Sequence, residues 1–173
     1  MSVSRTYTCK DLGKYLRNLQ KNLVPAAVRG IHSGAARGVT VVQEAVTKAP
    51  PASPNGSVGA FNTGQYRAAW RWSKLPGGGA TIFNGKKYAG IIEDGRRAGA
   101  KPPPRAVIAK WAQRKLGLTR KQAEAAAFPI ARAIAKRGLR PRRVVASVAS
   151  KLEAIVMTEV MHEVDLVIKG GKP

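Results

Sequence analysis

The chain has 173 residues, 44% of them hydrophobic and 23% charged, the size and balance of one folded domain able to bury a core without covalent staples. Aromatic residues make up only 6%, so that core is expected to be mainly Ala, Val, Ile and Leu, and the single cysteine, Cys9, excludes an internal disulfide or a multi-cysteine zinc site. The formal charge of +22, from 31 Lys+Arg against 9 Asp+Glu, exceeds what solubility requires and points to a polyanionic neighbour.

Residues 1–9 show no periodicity and read as an extended arm. No window approaches the roughly 20 apolar residues that span a bilayer, and the start lacks the apolar core of a secretion signal, so the expected compartment of synthesis is a cytosol. From Lys10, the spacing of Leu12, Tyr15, Leu16, Leu19 and Leu23 predicts a helix with Lys10, Lys14, Arg17 and Lys21 largely on its other face. Pro25 is expected to interrupt it. A second helical pattern follows from Ala26 to Lys48, carrying Val28, Ile31, Ala35, Val39, Val42 and Val46. Its Gly30, Gly34 and Gly38, one every fourth position, either let another helix approach closely or leave a loose helix, each Gly costing roughly 1 kcal/mol against Ala.

Residues 49–61, with three prolines and two glycines in thirteen positions, read as a loop. From Tyr66 to Lys74 the residues alternate: Tyr66, Ala68, Trp70 and Trp72 form one face, Arg67, Ala69, Arg71 and Ser73 the other. That predicts a half-buried strand with an aromatic inner face. Pro76-Gly77-Gly78-Gly79 supplies the turn and Ala80 to Asn84 the returning strand. Tyr88 to Glu93 predicts a helical turn. Residues 94–104 form a second loop, held extended by three consecutive prolines and made basic by Arg96, Arg97 and Lys101, with Arg105 just beyond.

A helix is predicted over residues 106–116 with Val107, Ile108, Trp111 and Leu116 inside, stopped by Gly117. Thr119 caps the next, with Gln122 completing a reciprocal capping box, and Pro129 is expected to kink it near Phe128 before Gly138 ends it. The last helix is read from Pro141 to about Ile168. It carries Glu153, Glu159, Glu163 and Asp165, whereas residues 96–143 hold fifteen Lys+Arg against Glu124 alone, which marks that segment as the polyanion-facing surface. The fold class expected is α+β, a small antiparallel sheet built on a hairpin at about 66–84, packed against a long N-terminal helix and C-terminal helices in a single domain.

Side chains for catalysis are sparse. Neither His32 nor His162 sits among partners suited to acid–base work, and Glu93 and Asp94, as chain neighbours, point apart rather than facing across a substrate. Glu93 reads better as a structural anchor, with an arginine such as Arg67 as a candidate partner. No Gly-Lys-Ser/Thr follows the three glycines, so they read as a turn and not a phosphate cradle. Trp70, Trp72 and Phe83 beside Arg67 and Arg71 could stack on bases, but alternating burial explains them more simply. No catalytic residue, metal site or cofactor is therefore expected.

The order Thr63-Gly64, Tyr66, Arg67, Trp70, then Asn84, then Tyr88-Ala89, Glu93 and Gly95, with Ala49-Pro50 before and Ile130, Ala131, Arg132, Ile134 and Gly138 after, resembles the tail-completion or head-tail joining proteins of long-tailed double-stranded DNA bacteriophages. The likeness spans roughly residues 35–167 and lies in order and spacing together. It implies a non-enzymatic virion protein of the neck, made in the host cytoplasm. Such a protein closes into a ring, a hexamer in expectation, between head connector or adaptor and tail terminator or tail tube, with no membrane partner. Arg96, Arg97, Lys101, Arg105, Arg140, Arg142 and Arg143 would then face duplex DNA in the lumen or an acidic partner. The alternative is a basic, non-specific nucleic-acid-binding protein held by counterion release; a small hydrolase or nuclease is a weaker third.

Overall fold

A computed structural model describes residues 9–49 and 63–170. The expectations for the arm before Cys9 and for the loop beyond Ala49 lie outside these residues. Cys9 itself opens the first helix and is exposed, so the arm does not extend to it. The elements run α1 (Cys9–Lys48), α2 (Gln65–Ala68), β1 (Trp70–Lys74), β2 (Ala80–Asn84), α3 (Ala89–Asp94), α4 (Arg105–Leu116), α5 (Arg120–Arg137) and α6 (Ala149–Gly170), with one-turn 3-10 segments at Pro76–Gly78 and Ala146–Val148. This is an α+β chain with a two-stranded antiparallel sheet, a long N-terminal helix and C-terminal helices. The described residues divide into two compact units, 9–45 with 63–85 and 145–170, and 46–49 with 86–144.

In the first unit, α1 is one 40-residue helix that passes through Pro25 without the expected break. A proline removes one backbone bond and crowds the carbonyl four residues back, a local cost of roughly 3 kcal/mol. Ala26, immediately beyond, is fully buried, and the helix continues in packed contact at Ala35, Val42 and Ala45. Long-range burial outweighs the local defect. Three of the four glycines of α1 form a seam against α6: a Cβ on Gly30 would stand 2.4 Å from Val160 Cα, one on Gly34 2.7 Å from Val156 Cα, and one on Gly38 3.1 Å from Leu152 Cδ2. The close-approach reading of these glycines therefore holds. Arg29 with Glu163 (2.8 Å) and Arg37 with Glu159 pair across the same two helices.

The hairpin joins Trp70 with Asn84, Arg71 with Phe83 and Trp72 with Ile82. Its strand is shorter than the alternation suggested, because residues 65–68 take one helical turn after Gly64, whose φ of 78° favours glycine. Tyr66 still lies inside, edge-on to Trp70 with centroids 5.8 Å apart, while its carbonyl accepts a 2.9 Å hydrogen bond from Asn84 Nδ2. Trp72 packs on His32 at 5.5 Å, and Ile82 reaches Gly38 of α1. Phe83, opposite Arg71, is on the wet face. The Pro76 to Gly79 segment is a turn as read, closed by Leu75 N–H donating to Gly79 O at 2.8 Å.

In the second unit, α4 and α5 meet along an alanine seam: Ile108, Ala109 and Ala112 from one, Ala123, Ala127 and Ala131 from the other. Val107 and Leu116, expected inside, are exposed, because small residues at 109 and 112 set a closer line of approach than the large ones define. The predicted capping box is present, with Gln122 N–H donating to Thr119 Oγ1 at 3.4 Å and Thr119 N–H to Gln122 Oε1 at 3.0 Å. Pro129 lies inside a continuous α5, flanked by buried Ala127 and Ala131, so the helix runs on past it without a break.

Candidate nucleic-acid or partner interface

All seven arginines and lysines singled out for a polyanion belong to the second unit, and a knot of backbone bonds draws their two segments together. The short helix α3 ends at Gly95, whose φ of 77° turns the chain out of the helix. Arg96 and Leu139 then form an isolated antiparallel bridge, each N–H donating to the other's carbonyl at 2.9 Å. Gly99 N–H donates to Ala135 O at 2.7 Å. Two further bonds, Arg142 N–H to Ile92 O at 2.9 Å and Arg143 N–H to Glu93 O at 3.1 Å, satisfy carbonyls at the end of α3 that have no partner within the helix.

This pairing explains why the last helix does not begin at Pro141. Residues 139–143 are occupied in backbone bonds to Arg96 and to the end of α3, and α6 starts only at Ala149. It also gives two glycines a physical role. A Cβ on Gly95 would stand 2.4 Å from Leu139 O, and one on Gly138 2.3 Å from Arg96 O, while both residues have positive φ, 77° and 73°. Neither position admits a side chain without moving the bridge.

Arg97, Lys101, Arg105, Arg140 and Arg143 are exposed; Arg96 and Arg142 are half-buried. Burial holds the Arg142 guanidinium below the ordinary arginine pKa, and its Nη1, like Nε of Arg96, is removed from solvent without a hydrogen-bond partner among the described residues. Arg143 adopts a φ of 46°, a left-handed conformation that costs a non-glycine residue energy and that its bond to Glu93 O maintains. The bridge thus brings the residues 96–101 loop beside residues 140–143. Arg105 is held differently, its guanidinium stacked 4.4 Å above the ring of Phe128 at the mouth of an open groove of about 520 Å³ between α4 and α5.

The motif residues have structural positions. Thr63 and Arg67 are exposed around the α2 turn, Gly64 supplies its entry, and Tyr66 and Trp70 are core. Tyr88 is exposed where α3 begins, Ala89 and Glu93 are half-buried on it, and the Glu93 carbonyl takes the Arg143 bond. Burial of Trp70 and the inward packing of Trp72 fit the core reading for those two, whereas Phe83, read as core with them, is 42% exposed opposite Arg71. Leu139 and Phe128 carry no signal in the sequence, since a bridge between residues 96 and 139 and a stacking partner on another helix leave no local pattern. Among the described residues no three His, Cys, Asp or Glu side chains gather as a metal site, and no helix is long and apolar enough to cross a membrane. No family model, curated protein or solved structure matches the chain.

Proposed function

We propose that this chain is a structural subunit of a bacteriophage neck, one that associates into a ring between head connector and tail and leaves a passage for duplex DNA. The observation that carries the reading is the Arg96–Leu139 bridge. It joins two of the several stretches in which the likeness to tail-completion proteins lies, the one ending at Glu93-Gly95 and the one ending at Ile134-Gly138, and it draws together the segments that carry Arg96, Arg97, Lys101, Arg140, Arg142 and Arg143 in a chain whose formal charge is +22. A basic cluster of this kind suits the phosphates of DNA in transit or an acidic surface on a connector or tail tube.

The test uses two variants, one with Arg96, Arg97 and Lys101 changed to Gln and one with Arg140, Arg142 and Arg143 changed to Gln. Joining of filled heads to tails and mass of the purified assembly are scored separately. The proposal expects joining to fail in at least one variant with the assembly mass unchanged, since steering charges act on docking more than on the subunit's fold. Full joining by both overturns the role given to this surface. Tight, salt-sensitive binding of free DNA by a chain that never associates would instead favour the nucleic-acid-binding alternative.

A further inference from the structure

Helices α4 and α5 leave an open groove beside their alanine seam, and its lining sorts into an apolar floor and a charged rim. Ala109 and Ala127, both buried, form the floor, and exposed Ala106 stands one turn back along α4. Alanine ends at its Cβ, so a furrow of about 520 Å³ stays open between the two helices. That is room for several side chains of a partner.

The rim is basic. Arg105, Lys110 and Arg120 line it against one carboxylate, Glu124, which Arg120 already holds at 3.0 Å from one turn away on the same helix. Neither Arg105 nor Lys110 has a carboxylate partner among the described residues. Arg105 is oriented nonetheless, with its guanidinium 4.4 Å above the ring of Phe128, and a stacked guanidinium keeps its N–H donors at its edge, where a carboxylate is held in a fork.

The three cations are spread along the groove rather than gathered at one point. Arg105 meets α5 at Phe128, whereas Arg120 lies eight residues earlier on that helix, about 12 Å of axial rise, and Lys110 is more than one turn along α4 from Arg105. An occupant that meets all three must run the length of the groove. Duplex DNA presents phosphates and sugars on its outside, with no apolar side group to set down between two adjoining helices. A peptide whose carboxylates flank an apolar ridge uses both rim and floor.

We infer that the α4–α5 groove docks an acidic amphipathic helix of another protein, its apolar ridge on Ala106, Ala109 and Ala127 and its carboxylates on Arg105 and Lys110. The inference goes beyond the neck reading and does not depend on it, because it concerns what this groove takes and not where the assembly sits.

The full chain is titrated into a fluorescein-labelled peptide of about twenty residues, long enough to hold a helix in water, with leucines along one face and glutamates beside them. Binding is followed by anisotropy. Two comparison peptides carry glutamine for every glutamate or alanine for every leucine, and each should bind at least about tenfold more weakly. Arg105→Gln with Lys110→Gln should weaken the acidic peptide about five- to tenfold, as two rim ion pairs are lost. Ala106→Leu, at an exposed helical position, fills the furrow without changing any charge. It should melt like wild type and weaken the peptide at least about tenfold, the effect of leaving one leucine unseated.

Equal binding of the alanine-substituted peptide overturns the inference, and so does wild-type affinity in Ala106→Leu, since either means that acids are held by charge alone. A DNA duplex of unrelated sequence whose own binding is weakened by Ala106→Leu assigns the groove to nucleic acid and overturns it too. So does a fall in assembly mass in Ala106→Leu, which assigns the groove to a second copy of this chain. Head–tail joining, which decides the neck reading, is not among these readouts: joining that fails while the groove binds the peptide leaves the inference standing, and joining by Ala106→Leu leaves the neck reading standing.

Discussion

Gly34 of α1 lies so close beneath α6 that a Cβ on it would stand 2.7 Å from the Val156 Cα and 3.0 Å from its Cγ2. Backbone cannot yield as the end of a flexible side chain does, so any side chain there must part the two helices. Gly34→Ala should gain roughly 1 kcal/mol in intrinsic helix propensity and lose about 1 to 3 kcal/mol to overpacking. The net expectation is destabilisation, larger still for Gly30→Ala, whose Cβ would meet Val160 Cα at 2.4 Å. Gly13→Ala is the control, because the nearest atoms there are the tip of Arg17 at 3.7 Å. Denaturant melts should show Gly13→Ala at or above wild type and the other two below it; equal stability of all three would mean that α6 does not seat on the glycine seam.

Trp70 is 8% exposed and its Nε1 has no partner among the described residues. Trp70→Ala should therefore cost about 3 to 5 kcal/mol through the cavity it leaves. Trp70→Phe removes the unsatisfied N–H along with part of the ring, so it should cost much less than the alanine change. Phe83→Ala, on the exposed face across from Arg71, should stay within about 0.5 kcal/mol. Thermal unfolding of the three variants checks the order, and a large destabilisation at Phe83 would place the buried face of the hairpin on the wrong side.

What the sequence makes legible here is whatever is decided within a few residues. Thr119 and Gln122 cap α5 because both partners of the box lie within one turn, and Pro76 to Gly79 turn the hairpin through their own backbone preferences. The prolines mislead for the complementary reason. Pro25 and Pro129 carry a local cost that any window of sequence registers, while the burial of Ala26, Ala127 and Ala131 that offsets it depends on distant segments. The same holds at the candidate site. The excess of charge over residues 96–143 is plain in the sequence, but the meeting of Arg96 with Leu139 is not, since neither residue nor its neighbours advertise a bridge between segments so far apart in the chain. Residues 141–148 read as helix by pattern, yet the carbonyls of Ile92 and Glu93 hold Arg142 and Arg143 out of it.

Gly138→Ala tests the bridge directly. The substitution meets Arg96 O at 2.3 Å and forces a residue with a side chain to a φ of 73°, two penalties at one position. A destabilisation of about 1 to 3 kcal/mol is expected for strain of this kind. Hydrogen exchange should locate it, with the amides of Arg96, Leu139, Arg142 and Arg143 losing protection together while those of the α4–α5 seam hold. An effect confined to Gly138 itself would show that the four bonds are independent of one another.

Arg143 offers a way to separate charge from fold, because it is strained where it stands. Its φ of 46° costs an L-residue roughly 1 to 2 kcal/mol that a glycine does not incur. Glycine also loses more backbone freedom on folding, by roughly 0.5 to 1 kcal/mol relative to Ala, so the two effects oppose each other. Arg143→Gly should accordingly melt within about 1 kcal/mol of wild type while removing one charge from the surface. If that surface meets phosphates, the slope of log K against log salt for duplex DNA should flatten by about 0.9 for the one phosphate no longer neutralised, and the affinity of unrelated DNA sequences should fall equally, because phosphates are the same in all of them. If the surface docks an acidic protein instead, the DNA slope should not move and the rate of head–tail joining should drop. A variant that melts like wild type, keeps the wild-type salt slope and joins at the wild-type rate would remove Arg143 from the interface altogether and leave its left-handed turn as a purely structural clasp on the end of α3.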